Sequence, residues 1–205
     1  MAFDLTPVVV QDFTDDPQAL ADAIRGLRAG GGTALYDAIY LAAKMKLAEG
    51  SGSNFRKMLI VLSDGDDSGS VVSREEALEM ARRQEVSIFT VSTSAPPVNY
   101  RSETRKMQNP CEVMGQEGDK VLEYFSESTG GTAYCPFTTI DVGRSFEAIA
   151  NQLRTQYTLA YTPSNRLRDG RFRQIAIQCR REELRIHHRP GYYANPNPPA
   201  ARERP

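Results

Sequence analysis

Two side chains whose oxygen atoms could bind a metal lie next to segments predicted to form an α/β sheet. Thr33 follows a run of three glycines and precedes apolar residues at helical spacing, and Asp64 follows the apolar run 58–62 after one serine. In an open parallel sheet, the carboxyl ends of strands and the starts of neighbouring helices share one rim, where ligands bind. A hydroxyl and a carboxylate on that rim suit a hard cation such as Mg²⁺. We therefore predict a partial metal site at Thr33 and Asp64.

Ordinary structural roles compete with metal binding at these positions. Thr33 could be an N-cap for the helix it opens, a role worth about 1 kcal/mol, and could be a ligand as well. Asp37 falls in the first turn of that helix, where the helix dipole favours negative charge, so we expect it either to interact with the dipole or to orient the site without touching the metal. Asp64, Asp66 and Asp67 repel one another unless a cation or solvent screens them. We expect Asp66 and Asp67 to be solvated.

Strand and helix patterns alternate through the middle of the chain. The run 58–62 lacks apolar–polar alternation, which favours a central strand covered on both faces, and 86–91 is the next predicted strand. Between them, Ser73 and Glu76 form a capping box for a helix that ends near residue 84. This alternation predicts right-handed βαβ units, and therefore a Rossmann-like, open and mostly parallel α/β sheet flanked by helices.

The remaining segments are shorter or less regular. Two further strands are expected at 3–13, which could be the second arm of a hairpin, and at 132–137. Three more are expected in a C-terminal β extension, at 157–161, 172–179 and 184–189. The other expected helices begin after Asp16, near Val121 and at Asp141, which would cap the last of them. The segment 94–118 has the composition of a long surface loop.

Composition and charge exclude several classes of protein. The chain has 205 residues and a formal net charge of −1, so its charge does not favour binding to nucleic acid or to an anionic membrane. It contains no apolar run of transmembrane length and no basic-then-apolar leader at its start. Its three cysteines, Cys111, Cys135 and Cys179, lack the spacing of a zinc motif. These observations favour one domain with an appendage.

Several motifs, in this order, resemble the von Willebrand factor type A (VWA) domain. They are Gly31-Gly32-Thr33-Ala-Leu-Tyr-Asp37-Ala, Leu59-Ile-Val-Leu-Ser63-Asp64-Gly65, and Ser128-Thr-Gly-Gly131 before an aromatic strand. The ending resembles the VWA-related subfamily abundant in acidobacterial exported proteins, through Gln156-Tyr157-Thr-Leu-Ala-Tyr161, Asp169-Gly170-Arg-Phe172 and Arg189-Pro-Gly191-Tyr-Tyr193. The resemblance implies a VWA-like domain over 1–156, a β extension over 157–193 and a disordered tail over 194–205.

The resemblance also implies a metal-ion-dependent adhesion site, which binds Mg²⁺ and is completed by a carboxylate of a protein partner. In that family the site takes an Asp-x-Ser-x-Ser motif after the first strand, a threonine and a later aspartate, and Thr33 and Asp64 match the last two. The first strand, its motif and the following helix would precede Phe3, so we expect an N-terminally truncated domain with weak or absent Mg²⁺ binding. A literal Asp-x-Ser-x-Ser occurs at 66–70, but no strand-ending Asp-Gly follows Thr132 to complete a shifted site.

The leading function hypothesis is a non-enzymatic protein-interaction module of the adhesion type. The sequence has no Gly-x-Ser-x-Gly elbow, no Gly-x-x-x-x-Gly-Lys phosphate loop and no Cys/His pairing. One alternative is a metal-assisted hydrolase that uses Asp64 and the nearby acids, which would need a general base near a metal-bound water. A second alternative is an inactive fragment. We expect no nucleic-acid partner and no insertion into a membrane.

The subfamily resemblance further implies export to the periplasm or the extracellular space, although the chain itself leaves its localisation open. In such an oxidising compartment, Cys111 and Cys135 are the pair most able to form a disulfide, which would pin the long loop to the sheet. His187 and His188 would point to opposite faces of the strand 184–189. We therefore expect a surface pair there and no metal site.

Overall fold

The computed structural model describes residues 1–28, 30–46, 56–94, 111, 116–181 and 186–194. Most of the loop predicted over 94–118, part of the strand predicted over 184–189 and nearly all of the predicted tail lie outside these ranges. The strands are β1 (Ala2–Phe3), β2 (Pro7–Val8), β3 (Met58–Ser63), β4 (Ser87–Ser92), β5 (Ala133–Tyr134), β6 (Phe172–Gln174) and β7 (Gly191–Tyr193). The helices are α1 (Pro17–Arg25), α2 (Leu35–Leu41, continued by a π-helical turn, Ala42–Lys46), α3 (Arg74–Arg83), α4 (Glu117–Thr129) and α5 (Thr139–Arg154).

A three-stranded parallel sheet forms the centre of the domain. β3 pairs with β4 along its whole length, from Met58 opposite Ser87 to Ser63 opposite Ser92, and β4 pairs in parallel with β5. The strand order is therefore β3-β4-β5. Each neighbouring pair is joined by a segment that carries a helix, as parallel strands require. This arrangement confirms the predicted α/β fold with a parallel sheet.

β3 lies at an edge of this sheet rather than at its centre. Among the residues that the structure describes, β3 pairs with β4 alone, and Ile60 and Leu62 on one face are 43% and 46% exposed. The central position predicted for 58–62 is therefore wrong. The reason is that an unbroken apolar run reports on the two faces of a strand and carries no information about its two edges.

Helices cover both faces of β4, which is the buried centre of the sheet. On one face, α2, α3 and α4 pack around Ile88 in a core that includes Leu35 and Phe125. On the other face, Ile149 of α5 packs against Phe89. The domain thus has the helix–sheet–helix layers that bury both faces of a parallel sheet.

The observed N-caps agree with the predicted ones at two helices and differ at a third. Asp16 caps α1, and Ser73 with Glu76 forms the reciprocal capping box of α3. At α5 the N-cap is Thr138 and not Asp141: the threonine hydroxyl accepts from the Asp141 amide at 3.3 Å and donates to its carboxylate at 2.7 Å. Threonine and aspartate are both good N-caps, so the pattern could not rank two candidates three residues apart.

Both ends of the chain carry less strand than predicted. The segment 3–13 contributes only to the short hairpin of β1 and β2. At the other end β6 and β7 form a two-stranded antiparallel sheet, whereas 157–161 and 175–179 form no strand. Tyr157 and Leu159 are 94% and 74% exposed. A strand is stabilised mainly by packing of its side chains against neighbours, and the exposed Tyr157 and Leu159 gain little of it.

Two glycines let the start of α4 lie directly against the end of β3. A Cβ atom on Gly118 would sit 2.1 Å from the carbonyl oxygen of Asp64, and one on Gly65 would sit 2.0 Å from the carbonyl oxygen of Gly118. Gly65 also has a φ of +85°, a backbone conformation that residues with a Cβ atom rarely adopt. This contact fixes the position of the loop that begins at Asp64.

The variant Gly118→Ala should lower the free energy of unfolding by about 2 kcal/mol or more, because the added methyl group would overlap the Asp64 carbonyl and push α4 away from β3. Gly143 is the matched control, since it lies inside α5 with open space around its Cβ position. Gly143→Ala should raise the free energy of unfolding by about 0.5–1 kcal/mol through helix propensity. Urea unfolding of both variants measures the difference, and effects of the same sign would contradict the close contact.

A disulfide joins Cys111 to Cys135, which follows β5. Their Cα atoms are 5.1 Å apart, both side chains are buried, and they pack with Ala133 and Phe137. Cys179 is a free, exposed thiol. The structure therefore confirms the pairing predicted for an oxidising compartment.

Replacing both Cys111 and Cys135 by serine should lower the free energy of unfolding by about 3 kcal/mol, because the bridge closes a loop of intermediate length in the unfolded chain. The two cysteines are 24 positions apart. Cys179→Ser is the control and should change the free energy of unfolding by less than about 0.5 kcal/mol. Denaturant titration under non-reducing conditions separates the two results. Equal stabilities of the double variant and the parent chain would show that the bridge does not form.

Candidate functional site

The loop that follows β3 lies against the start of α2. The amides of Ser68 and Gly69 donate to the carbonyl oxygen of Thr33 at 2.9 and 3.0 Å. The Thr33 amide in turn donates to the Ser68 hydroxyl at 3.0 Å. The structure therefore brings the loop that begins at Asp64 to Thr33, at the carboxyl end of β3.

Thr33 does not open the helix as predicted. α2 begins at Leu35, and its N-cap is Ala34, whose side chain cannot accept a hydrogen bond. The acceptors come from the other loop: the Tyr36 amide donates to Asp67 Oδ1 at 3.2 Å, and the Asp37 amide donates to the Ser70 hydroxyl at 3.0 Å. Sequence rules for helix capping consider residues next to the helix start. Here the capping residues lie more than thirty positions away along the sequence.

The Asp67 carboxylate holds this capping arrangement together. Besides the Tyr36 amide, its Oδ1 atom accepts from the Ser70 hydroxyl at 2.6 Å, and Oδ2 accepts from the Ser70 amide at 3.2 Å. The expectation that Asp67 would be solvated is therefore wrong. Burial, and then the Asp67 charge, raise the pKa of the Tyr36 phenol. Within the literal Asp-x-Ser-x-Ser at 66–70, Asp67 and Ser70 thus cap α2 and Ser68 binds Thr33 just before the helix.

Asp37 fixes the far end of the same loop. Its carboxylate accepts from the Val71 amide at 3.1 and 3.2 Å and from the Val72 amide at 2.8 Å. A carboxylate in the first turn of a helix also interacts favourably with the helix dipole. Asp37 therefore positions the loop from α2.

Asp64 is exposed to solvent at the rim. Its Oδ1 atom accepts from the Asp66 amide at 3.2 Å, and its backbone carbonyl accepts from the buried Ser94 hydroxyl at 3.4 Å. Its Oδ2 atom and the Thr33 hydroxyl make no hydrogen bond within the described part of the chain. These two oxygens therefore remain open to a ligand, whereas the backbone that carries Asp64 is held from both sides.

The rim offers few side-chain ligands for a metal ion. Within the described residues, no group of three or more histidine, cysteine, aspartate or glutamate side chains converges on one point. His187 and His188 are not part of a strand, and the His188 Nδ1 atom lies 2.7 Å from the Arg189 carbonyl oxygen. Thr33 and Asp64 therefore stay predicted metal ligands.

Asp119 is a buried carboxylate that the sequence did not single out. It is 1% exposed, its Oδ1 atom accepts from the Ser92 hydroxyl at 2.5 Å, and its Oδ2 atom is buried without a hydrogen-bond partner. Ser92 also accepts from the amide of Ser94. In the sequence, Asp119 resembles any acid in the first turn of a helix, so no local signal could have identified it.

A family model for the von Willebrand factor type A domain matches residues 2–130. This range is more than half of the chain. The chain belongs to the VWA family. The match includes the Thr33 and Asp64 motifs at the rim of this VWA domain. A search of curated proteins found no match to it.

Solved structures similar to this VWA domain include three bacterial proteins. An uncharacterized membrane spanning protein from Vibrio fischeri is 19% identical, with a TM-score of 0.37 and 67% of each chain covered. An aerotolerance-related membrane protein from Bacteroides fragilis is 13% identical, with a TM-score of 0.45 and 68% of this chain and 71% of that chain covered. BatB from Bacteroides thetaiotaomicron is also 13% identical, with a TM-score of 0.45 and 67% and 70% of the chains covered.

Likeness at these identities concerns the fold alone. In the described part of this VWA domain, no helix combines the length and the hydrophobicity needed to cross a bilayer.

Asp67→Ala should lower the free energy of unfolding by about 1–3 kcal/mol, because it leaves the Tyr36 amide and Ser70 without their partner at the start of α2. Asp66 is the matched control: it is the adjacent carboxylate, it is exposed, and Asp66→Ala should change stability by less than about 0.5 kcal/mol. Chemical unfolding followed by circular dichroism measures both. A loss of stability in the Asp66 variant equal to that in the Asp67 variant would mean that net charge, and not capping, matters here.

Proposed function

We propose that this chain is a non-enzymatic protein-interaction module whose contact surface is the rim formed by Thr33 and the loop that begins at Asp64. The observation that carries the proposal is that Asp64 is exposed on a loop held in place by hydrogen bonds to Thr33, Asp37 and Ser94. Membership of the VWA family, whose domains generally mediate protein interactions, supports it. A fixed, exposed polar group suits recognition because little freedom is lost on binding.

The proposed partner group is a carboxylate that meets the rim through a shared divalent cation. Asp64 and the exposed Asp66 make the rim acidic, so a partner carboxylate would be repelled unless a cation lay between them. A bound Mg²⁺ would supply that positive charge. The Thr33 hydroxyl and the Asp64 carboxylate fit it as oxygen ligands.

The cation should bind weakly to this chain alone. Mg²⁺ gives up its water reluctantly and is held best where several ligands stand together, and the rim offers one carboxylate and one neutral hydroxyl. We therefore expect mostly outer-sphere contacts, in which water molecules lie between the ion and the protein. A partner carboxylate would then be needed to complete the site.

A hydrolase is disfavoured by the position of the histidines. Asp64 contacts Gly118 at the start of α4, whereas His188 lies against Gly130 at the end of that helix. A helix of 13 residues separates these ends by about 18 Å. Hydrolysis by a metal-bound water would need a general base within reach of that water, and neither His187 nor His188 is placed to serve as one.

We also propose that the protein works in an oxidising compartment outside the cytoplasm. The buried Cys111–Cys135 disulfide supports this, because disulfides persist in oxidising environments and are rare in the cytosol.

Calorimetric titration with Mn²⁺ tests the proposed rim. We expect a dissociation constant in the range of about 1 mM, with binding lost in Asp64→Ala and retained in the control Asp66→Ala. In the presence of the diamagnetic ion Mg²⁺, a short peptide with a central glutamate should shift the amide resonances of residues 64–70, and it should not do so without the metal. Tight, stoichiometric metal binding that survives Asp64→Ala would contradict the proposal, as would peptide binding that does not depend on the metal.

A further inference from the structure

The net charge of −1 conceals a separation of charge along the chain. Residues 156–205 contain ten arginines, no lysine and four acidic residues, so this segment has a net charge of +6, whereas residues 1–155 carry −7. An asymmetry of this kind indicates that the basic segment has an anionic partner of its own. Because the guanidinium group pairs its N–H donors with phosphate or carboxylate oxygens, the use of arginine alone favours a partner that carries such groups.

The hairpin of β6 and β7 packs on α3 with one face and presents the other face outwards. The rings of Phe172 and Tyr193, whose centroids are 5.2 Å apart, contact Arg82 and Arg83 of α3. Side chains alternate between the two faces of a strand. Arg173, which follows Phe172 and lies opposite Tyr192, therefore belongs to the face directed away from α3.

The loop that precedes β6 is tied to this outward face. The Arg173 Nη2 atom donates to Asp169 Oδ1 at 2.9 Å and to the Leu167 carbonyl oxygen at 3.3 Å. The Leu167 amide in turn donates to Asn165 Oδ1 at 3.0 Å. Residues 165–171, which we call the arginine loop, are thus held by hydrogen bonds on the outer side of the hairpin.

The arginine loop presents three exposed arginines and one exposed leucine. Arg166, Arg168 and Arg171 are exposed, and Arg166 and Arg168 form no ion pair within the described part of the chain. The Arg171 Nε atom lies 3.8 Å from Asp169 Oδ2, which is longer than a hydrogen bond. Leu167, between the first two arginines, is 68% exposed. The loop therefore places three cations around an apolar side chain.

We propose that the arginine loop binds the surface of an anionic phospholipid bilayer. Arg166, Arg168 and Arg171 contact lipid phosphates, and Leu167 enters the boundary between the head groups and the acyl chains. Proteins bind to membrane surfaces in this way when basic and exposed apolar residues share one surface. The contact is peripheral and needs no segment that crosses the bilayer. The site is separate from the rim, and goes beyond the function proposed for that rim.

Leu167 favours a bilayer over nucleic acid and over a second copy of the chain. Proteins that bind nucleic acids combine arginine with aromatic rings or hydrogen-bonding groups that contact the bases, and the leucine in this loop is neither. The acidic part of a second copy would attract the arginines but would give the leucine no role. A bilayer offers phosphates and hydrocarbon within about 10 Å of depth, so it can satisfy both kinds of side chain.

Co-sedimentation of the full chain with lipid vesicles tests the proposal. The chain should bind vesicles of phosphatidylcholine with one third phosphatidylglycerol at least about tenfold more tightly than vesicles of phosphatidylcholine alone, because each arginine at an anionic surface contributes about fivefold to binding. Binding should fall when the salt concentration rises from about 50 to 500 mM, since salt screens the arginines. Asp64→Ala should leave vesicle binding unchanged, which distinguishes this site from the rim.

Paired variants locate the contact on the chain. The double variant Arg166→Gln/Arg168→Gln should weaken binding to the anionic vesicles by about 20-fold, and Leu167→Ser should weaken it by about tenfold or more. The control Arg180→Gln/Arg181→Gln removes the same charge from two exposed arginines beyond the other end of β6. It should weaken binding by less than about threefold, because the surface potential falls off within a Debye length. Circular dichroism checks that each variant is folded.

A single tryptophan can report the contact, because the chain contains none. When anionic vesicles are added, the fluorescence of Leu167→Trp should shift to shorter wavelength and be quenched by brominated phospholipids, since indole rings settle at the membrane interface. The control Val71→Trp places the tryptophan at another exposed position, in the loop at the rim. It should show neither change.

Five results would overturn the proposal. Binding to anionic vesicles that is no stronger than binding to neutral ones would exclude an anionic bilayer, and equal losses in the two double variants would exclude the arginine loop as the contact. An unchanged spectrum of Leu167→Trp on vesicles that carry the protein would also exclude the loop. Tighter binding to duplex DNA than to the vesicles at equal salt would assign the loop to nucleic acid. Self-association in sedimentation that Arg166→Gln/Arg168→Gln abolishes would assign it to a second copy.

Discussion

The amide groups in the first turn of α2 need hydrogen-bond acceptors, and the loop that follows β3 supplies them. A helix start leaves several backbone donors unpaired, and a buried donor without a partner is costly. Ala34 cannot serve as a cap, so Asp67 and Ser70 do so from the other loop. Because the loop must lie where it can cap α2, its residues Ser68 and Gly69 come against Thr33. The geometry of the candidate site thus follows from the capping of a helix.

The sequence allowed the central fold to be predicted because its signals there are local. The apolar run 58–62, the run 86–91 and the box of Ser73 with Glu76 each occupy a few adjacent positions, and together they indicate a parallel sheet with crossover helices. The edge position of β3 could not be predicted in this way, since side-chain patterns describe faces and the hydrogen bonds of an edge involve backbone groups that every residue shares.

The candidate site was predictable only in part, for a related reason. Thr33 and Asp64 were identified from their places beside a helix and a strand, and the structure brings their loops together. The capping roles of Asp67 and Ser70 depend on contacts across more than thirty residues, so no local pattern could indicate them. Asp119 gave no signal at all, since its burial against Ser92 results from the packing of α4 on β4 and from nothing in its neighbouring residues.

The hydrogen bonds around Asp64 also explain how a small rim could act as a binding surface. On one side its backbone is tied to Ser94, and through Ser92 to the buried Asp119. On the other side the loop ends at Val71 and Val72, which are held by Asp37. The Asp64 carboxylate therefore stands on a backbone that hydrogen bonds hold on both sides. Binding costs less free energy when the groups that make contact are fixed beforehand. A cation with few protein ligands depends strongly on this effect, because each of its few contacts must form without further rearrangement of the chain.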